Sequence, residues 1–221
     1  MHLTRTTAII AGILALTFAI TIIAYPYMPD RIASHWGTSG EVNGYLSKFW
    51  GLFLVPLLSA GMTLLFLLIP RIDPLRANIR EFRAVYDGFV IVFLLFLLYM
   101  QVFILLWNAG VRVSIAQTLS PALGVLYYAC GILIGKAKMN WFIGIRTPWT
   151  LSSQAVWDRT HALGGKLFRL VGILAFLGLF FPAVAFYLIL VPVLFVSGYL
   201  VYFSYREYEL EERRRAGPAQ P

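Results

Sequence analysis

The hydrophobic residues of this chain fall into six long blocks separated by shorter polar stretches. A transmembrane helix needs roughly 20 apolar residues, because its backbone groups must form their hydrogen bonds within the segment. The pattern therefore predicts spans at 7–25, 49–69, 88–107, 118–135, 163–181 and 183–205. Only Pro182 and its neighbours divide the last two blocks, so one long kinked helix is the alternative to two spans there.

Composition supports the same fold class. The chain has 221 residues, of which 60% are hydrophobic and 13% are charged, whereas soluble domains carry roughly 25% charged residues. We therefore predict an all-α integral membrane protein, built as a bundle of about six transmembrane helices. The expected units are an N-terminal helical hairpin with an ordered outer loop (1–70), a second transmembrane hairpin (71–135), an inner segment with the final hairpin (136–205), and a disordered cytoplasmic tail (206–221).

Basic residues are distributed unevenly among the loops. Of 18 Lys and Arg residues, only Arg31, Lys48 and Arg112 lie in one set of alternate loops. The positive-inside rule then places both termini in the cytoplasm. The net charge of +8 is explained by topology and by attraction to anionic membrane lipids, and we predict no direct nucleic-acid binding, because the basic residues flank spans and form no single stripe.

The interiors of the spans are poor in polar groups. Gln101 is the main deep polar side chain, which argues against ion-coupled transport because such transport uses ionisable groups at membrane depth. Small residues recur at helical spacing at Ala8, Gly12, Ala15 and Ala19 in the first span and at Gly131 and Gly135 in the fourth. Such faces let helices approach closely, and packing within the bundle is the favoured interpretation over a dimer interface.

Two loops carry chemical information. The outer loop, 27–50, contains Asp30, His35 and Glu41, but their spacing matches no recognised metal-ligand pattern, so we predict no metal site and a locally hydrogen-bonded histidine. Its glycines and Pro29 indicate an ordered, turn-rich segment.

The inner loop has the sequence NWFIGIRTPWTLSSQAVWDRTHALGG, at 140–165. It predicts an irregular stretch around Arg146, followed by a helix with Ser152 as N-cap that continues into the fifth span. Arg146 is suited to binding a phosphate or a partner's carboxylate, and equally to reaching lipid headgroups. Asp158 and His161 lie one helical turn apart and could pair, yet no nucleophile, metal set or nucleotide motif accompanies them, so we predict neither an enzyme nor a cofactor.

The residues from Asn140 to His161 resemble the signature of the SdpI family of bacterial and archaeal membrane proteins. The outer loop, with Pro29-Asp30-Arg31-Ile32 and His35-Trp36, is similar to the small domain of unknown function that commonly precedes this signature. Together the two regions place most of the chain in the expected order.

The resemblance implies an immunity protein and signal transducer, which protects a cell from a secreted, membrane-active peptide toxin and, with toxin bound, holds a cytoplasmic transcriptional repressor at the cytoplasmic membrane. The implied ligand-binding residues of the outer loop are Pro29, Asp30, His35, Trp36, Gly40, Gly44 and Lys48. The implied partner-binding residues of the inner segment are Asn140, Trp141, Gly144, Arg146, Thr147, Pro148, Trp149, Thr150, Ser152, Trp157, Thr160 and His161.

Two other functions remain as alternatives. One is a membrane enzyme or lipid-handling protein that grips a phosphate with Arg146 and Lys138 and transfers protons through His161 and Asp158. The other is a small transporter, which ranks lower. The expected partners are thus membrane lipids, a peptide toxin outside and a repressor inside, and the sequence makes no prediction of oligomeric state.

Overall fold

The computed structural model of the protein describes residues 5–37 and 40–216. Its helices are α1 (Arg5–Ala24), α2 (Lys48–Ile72), α3 (Arg76–Glu81), α4 (Arg83–Asn108), α5 (Ile115–Lys136), α6 (Pro148–Ser152), α7 (Gln154–Leu177) and α8 (Ala185–Ala216). Two antiparallel strands, β1 (Arg31–Trp36) and β2 (Val42–Ser47), form a hairpin between α1 and α2. The predicted all-α membrane bundle is confirmed, with this small sheet as an addition.

Six helices are long and apolar enough to cross a membrane, which confirms the predicted number of spans. The last two blocks form two helices, because the chain turns after Leu177 and restarts in a short 3-10 turn at Pro182–Val184. The fifth span was expected at 163–181, whereas α7 begins at Gln154. The amphipathic start of this helix and its apolar span are one continuous element.

Glycines determine how closely α5 and α7 pack. A Cβ on Gly165 would lie 2.6 Å from the Cα of Gly135, and a Cβ on Gly131 would lie 2.6 Å from the backbone nitrogen of Arg169. The small-residue face of α5 therefore packs within the bundle, as expected. The face of α1 differs, since Ala8, Gly12, Ala15 and Ala19 are exposed and Gly12 has no heavy atom near its Cβ position.

Gln101 joins the first three spanning helices. Its side chain is fully buried, and its amide nitrogen donates to Thr21 Oγ1 at 2.9 Å and to the Leu52 carbonyl at 3.0 Å. One polar side chain on α4 thus bonds α1 and α2 at the same depth. The two bonds of the amide nitrogen are stabilising because hydrocarbon offers no alternative partner, while Oε1 is buried without a partner among the described residues.

The C-terminal helix extends past the expected end of order. A disordered tail was predicted from Arg206, but α8 continues as helix to Ala216, and residues 217–221 lie outside the described residues. Ion pairs one turn apart support this extension, including Arg213 with Glu209 at 2.8 Å and Arg215 with Glu211. Such i,i+4 pairs stabilise a solvent-exposed helix, which a composition-based prediction of disorder overlooked.

Candidate functional site

The hairpin is anchored on the start of α2 through Ile32. This side chain is fully buried and packs in a cluster with Leu52 and Met28. Gly51 makes the approach possible, because a Cβ there would lie 2.8 Å from Ile32 Cγ2. The hairpin is therefore pressed against one end of the bundle by a buried aliphatic side chain.

Asn108, the last residue of α4, holds the other side of the hairpin. Its Oδ1 accepts from the Ala33 backbone N–H at 2.8 Å, and its Nδ2 donates to the Ala33 carbonyl at 3.3 Å. Trp36 packs beside these bonds, with its ring 5.2 Å from Phe103 and 5.6 Å from Trp107. The indole Nε1 of Trp36 is buried and has no hydrogen-bond partner among the described residues.

The other outer-loop residues singled out by the sequence have local roles. His35 is exposed, and its Nδ1 hydrogen-bonds the Asn43 side-chain oxygen, as a locally bonded histidine was expected to do. Gly44 pairs opposite His35 in the sheet, and Gly40 adopts a φ of 90°, which favours glycine. The Asp30 carbonyl accepts the Lys48 N–H at 2.9 Å, and the Lys48 ammonium lies 4.9 Å above the Tyr25 ring. Pro29 is exposed at the entry to the hairpin.

The inner segment, 137–153, lies at the opposite end of the bundle and is organised around Asn140. This side chain is fully buried. Its Oδ1 accepts from the N–H groups of Phe142 and Ile143 at 2.9 and 2.6 Å, and its Nδ2 donates to the carbonyls of Lys138 and Ile143 at 2.8 and 2.9 Å. One side-chain amide therefore provides hydrogen-bond partners for backbone groups that an irregular segment leaves unpaired.

His161 of α7 holds the next turn of the inner segment by a hydrogen bond to its backbone. Its Nε2 accepts from the Ile145 N–H at 3.0 Å, so the ring proton lies on Nδ1, which donates to the Trp157 carbonyl at 2.9 Å. The imidazole stacks on the Trp157 indole at 3.8 Å, and that indole donates to the Ala137 carbonyl at 2.9 Å. Gly144, with φ of 111°, is required because a Cβ would overlap the His161 ring.

Hydroxyl groups complete the segment. Thr147 and Thr150 form a capping box at the start of α6, where Pro148 is the first helical residue. Thr147 Oγ1 also bonds Ser204 Oγ of α8 at 3.0 Å. Ser152 was predicted to cap the following helix, but Ser153 is the N-cap, since its Oγ accepts the Val156 N–H at 3.3 Å.

The extended part of α8 packs alongside this segment. Ser153 Oγ donates to Glu211 at 2.5 Å, and Arg159 pairs with Glu207 at 2.7 Å. The Trp149 ring meets Tyr205 at 5.2 Å. These three contacts tie the C-terminal part of α8 to the inner segment and to α7.

Two exposed aromatic residues and one exposed cation of the inner segment form a surface that we call the inner patch: Trp141, Phe142 and Arg146. Trp141 is 51% exposed and Phe142 is 37% exposed. Arg146 is exposed too, and its guanidinium donates to the Trp141 carbonyl at 2.6 Å, which keeps the charge beside the aromatic rings. An aromatic surface with a fixed cation suits lipid headgroups or an acidic partner.

The spacing of Asp158 and His161 would allow them to pair, but their side chains bond other groups. Asp158 accepts from the Gln154 side chain at 2.9 Å, while both ring nitrogens of His161 bond the backbone. The imidazole is buried and its hydrogen-bonding capacity is used by the fold. Thr160, also singled out from the sequence, is fully buried, and its hydroxyl has no partner in the described part of the chain.

Sequence reasoning missed the residues that attach the inner segment to the first half of the bundle. Asp73, at the end of α2, accepts the Leu75 N–H at 2.6 Å and the Trp141 N–H at 2.9 Å. Asn78 on α3 donates to the Met139 carbonyl at 2.7 Å. The sequence did contain one signal for Asp73, which directly precedes Pro74. An Asp in such a turn commonly accepts hydrogen bonds from nearby backbone N–H groups.

Comparisons with known proteins agree with these two structured ends. Residues 12–60 match the family model described as a domain of unknown function (DUF1648), and residues 136–204 match that of the SdpI/YfhL protein family. The chain is 26% identical over 196 residues to the immunity protein SdpI of Bacillus subtilis (strain 168), which covers 89% of this chain and 91% of that protein. The resemblance to the SdpI family is confirmed. The comparison with solved structures found no match.

The two matched regions coincide with the two structured ends of the bundle. The DUF1648 match runs from α1 through the hairpin into α2, and the SdpI match covers the inner segment, α6, α7 and most of α8. The protein is thus a multi-pass membrane protein with one region that is similar to DUF1648 and one that is similar to the SdpI/YfhL family.

Proposed function

We propose that this protein is a membrane immunity protein of the cytoplasmic membrane, which recognises a secreted membrane-active peptide at its hairpin face. The observation that carries the proposal is the hairpin itself: a compact structure, held at the end of the bundle by Ile32 and Asn108, with a buried indole N–H on Trp36 that has no partner among residues 5–37 and 40–216. The relative that matches most of the chain is named an immunity protein. The small number of basic residues in the loops at this end supports an outward-facing hairpin.

We further propose that the inner patch is the docking surface for a cytoplasmic repressor. The support is that Trp141, Phe142 and Arg146 are held outward by a segment whose buried polar groups are bonded to its own backbone. Two helices extend between the two ends, since α5 and α8 each begin beside the hairpin and reach the inner segment with their C-terminal parts. A change in either helix would reach both ends.

Immunity is tested by expression in a peptide-sensitive bacterium. Cells making the chain should survive a panel of secreted membrane-active peptides better than cells making Asn108→Leu, at equal membrane levels of both proteins. Equal killing of both strains by every peptide in the panel, with normal membrane levels, would contradict the proposal.

Repressor docking has a separate readout. A fluorescent fusion of a regulator encoded in a neighbouring reading frame should move to the membrane when peptide is added, and Arg146→Ala should abolish this movement while protection persists. Recruitment that is unchanged by Arg146→Ala would contradict the role of the inner patch.

A further inference from the structure

The second spanning helix, α2, contains two prolines within its length, Pro56 and Pro70. Proline has no backbone N–H, so the carbonyl four residues earlier loses the hydrogen bond that an α-helix would otherwise give it. The carbonyls concerned are those of Leu52 and Phe66. A transmembrane helix tolerates this loss where a neighbouring group supplies a donor, because hydrocarbon supplies none.

Both carbonyls receive their donor from the same neighbouring helix, α4. Gln101 Nε2 donates to the Leu52 carbonyl at 3.0 Å, and Tyr86 Oη donates to the Phe66 carbonyl at 2.7 Å. Both donor side chains are buried. The two positions at which α2 lacks a backbone hydrogen bond are therefore the two positions at which α4 is bonded to it.

The prolines within the other spanning helices lack this arrangement. Pro121 lies in α5 and Pro192 lies in α8. Within residues 5–37 and 40–216, no side chain donates to the carbonyl of Gln117 or of Leu188, which stand four residues before these prolines. Support of both proline positions by one partner helix is thus particular to α2 and α4.

The outer end of this pair of helices carries the hairpin. Leu52, whose carbonyl Gln101 holds, is also a residue on which Ile32 of β1 packs. Asn108, at the end of α4, bonds β1 at Ala33. The hairpin therefore rests on α2 and α4 together, at the residue through which the two helices are bonded.

The inner end of the same pair carries the inner segment. Pro70 lies three residues before Asp73, which accepts the Trp141 N–H at 2.9 Å. Asn78 of α3, the short helix between α2 and α4, donates to the Met139 carbonyl at 2.7 Å. A displacement of the inner end of α2 would therefore reach the backbone of the inner patch.

We propose that α2 and α4 form one stiff unit that couples the hairpin to the inner patch, and that Gln101 and Tyr86 provide the stiffness. Helices bend at proline. Without the Gln101 bond, a displacement beneath the hairpin is absorbed by bending at Pro56. With the bond, the same displacement tilts the unit and changes the contact between Asp73 and Trp141. The inference rests on the proposed function, and it names the elements through which an occupied hairpin regulates the inner patch.

The test displaces the outer end of α2 without any peptide. A Cβ on Gly51 would overlap the Ile32 side chain, so Gly51→Ala forces α2 and the hairpin apart. The measurement is the rate of trypsin cleavage at Lys138, an exposed residue of the inner segment, in the full chain in lipid nanodiscs. Gly51→Ala should raise this rate about five-fold, which is at the lower end of coupling between distant sites.

Gly61→Ala is the matched control for this displacement. It makes the same substitution on the same helix, at a position with no heavy atom of the described residues within 4 Å of the added Cβ. The rate of cleavage at Lys138 should equal that of the unsubstituted chain. Equal cleavage of Gly51→Ala and Gly61→Ala overturns the proposal.

Variants of the Gln101 bond show whether the change passes through it. In Gln101→Leu, the effect of Gly51→Ala on cleavage should disappear, because α2 then bends at Pro56. Adding Pro56→Ala to Gln101→Leu gives the Leu52 carbonyl a backbone donor again and should restore the effect. Pro192→Ala, in a helix without such a side-chain bond, should leave the effect at its original size.

The outcome in Gln101→Leu separates coupling from a general loss of stability. An effect of Gly51→Ala that is equal with and without Gln101 is the result expected from general destabilisation, and it overturns the proposal. If Gln101→Leu does not reach the membrane, Tyr86→Phe provides the same test, because it removes only the hydroxyl that bonds the Phe66 carbonyl. An undiminished effect in Tyr86→Phe then overturns the proposal.

Failure of this inference is distinguishable from failure of immunity, because the cleavage measurement uses no peptide. If the chain protects cells but Gly51→Ala leaves cleavage at Lys138 unchanged, the immunity proposal stands and α2 is not the connection. If the coupling is measured but no peptide of the panel is resisted, the immunity proposal fails while the connection between the two ends stands.

Discussion

The hairpin and the inner segment are both irregular structures at the ends of one bundle, yet they satisfy their polar groups in opposite ways. At the inner segment, Asn140 and the side chain of His161 from α7 bond to the surrounding backbone with both of their polar atoms, and the Thr160 hydroxyl of α7 is the nearby exception without a partner among the described residues. In the hairpin, the second strand is largely exposed and the buried Trp36 indole has no partner among the described residues. A segment whose polar side chains are hydrogen-bonded internally is suited to be a rigid platform. A region with a buried donor that lacks a partner is suited to binding a ligand.

This difference predicts where mutations damage the fold and where they damage only recognition. Changes in buried residues of the inner segment should unfold the protein, because each leaves several backbone groups unpaired. Changes in the attachment of the hairpin should spare the bundle, because Gln101 and the α5–α7 contact lie outside it.

The largest effect is expected for Asn140→Ala. It removes the acceptor of two N–H groups and the donor to two carbonyls in the interior, which should lower the free energy of unfolding by about 3 kcal/mol or more. Denaturation in detergent micelles measures this loss. Trp141→Ala is the control, since that side chain is exposed and the bonds to Asp73 and Arg146 are made by the Trp141 backbone, which the substitution keeps; an equal loss in both variants would contradict the structural role of Asn140.

Asp73→Ala should have the second-largest effect. The carboxylate connects the end of α2 to the Trp141 backbone, and its loss should cost about 2 kcal/mol and expose Lys138 to trypsin. Asp158→Ala is the matched control, because that exposed carboxylate bonds only Gln154 among the described groups. Its loss should lower the free energy of unfolding by less than about 0.5 kcal/mol. Similar melting and trypsin sensitivity of the two variants would argue against the connection.

The sequence predicted the spans well because long apolar blocks are a direct consequence of membrane burial. The strands of the hairpin were missed, since the register shifts between Ala33, His35 and Trp36 break the alternation by which a strand is recognised. The outer loop was nevertheless expected to be ordered, because its glycines and Pro29 are typical of turns.

The inner segment was located by its residues, but its internal roles were not predictable from them. Asn140 and Arg146 are both polar residues of one loop, yet the first is fully buried and the second is exposed. Their difference depends on Asp73 and Trp157, which are distant in sequence and are brought to the same place only by the fold. Long-range contacts of this kind leave no periodic pattern.

A smaller loss of stability is expected for Asn108→Leu, which removes both bonds to Ala33. The free energy of unfolding of the bundle should fall by about 1 kcal/mol, while protease cleavage at Arg31 becomes faster and protection against peptides is lost. Asn43→Ala is the matched control, because this exposed residue of β2 bonds the His35 side chain and not the bundle. Cleavage at Arg31 that is no faster in Asn108→Leu than in Asn43→Ala would show that the hairpin is held by other contacts.

The smallest effect on stability is expected for Arg146→Ala. The guanidinium is exposed and bonds one carbonyl, so its removal should change the free energy of unfolding by less than about 0.5 kcal/mol. Arg159→Ala is the matched control: it removes an exposed cation that pairs with Glu207, worth about 0–1 kcal/mol, at a position outside the inner patch. Recruitment of the cytoplasmic regulator should be lost in Arg146→Ala and kept in Arg159→Ala. If both variants lose recruitment equally, the regulator senses the overall positive charge of this face; if only Arg146→Ala does, the closed inner segment is a platform whose purpose is to hold one cation beside two exposed aromatic rings.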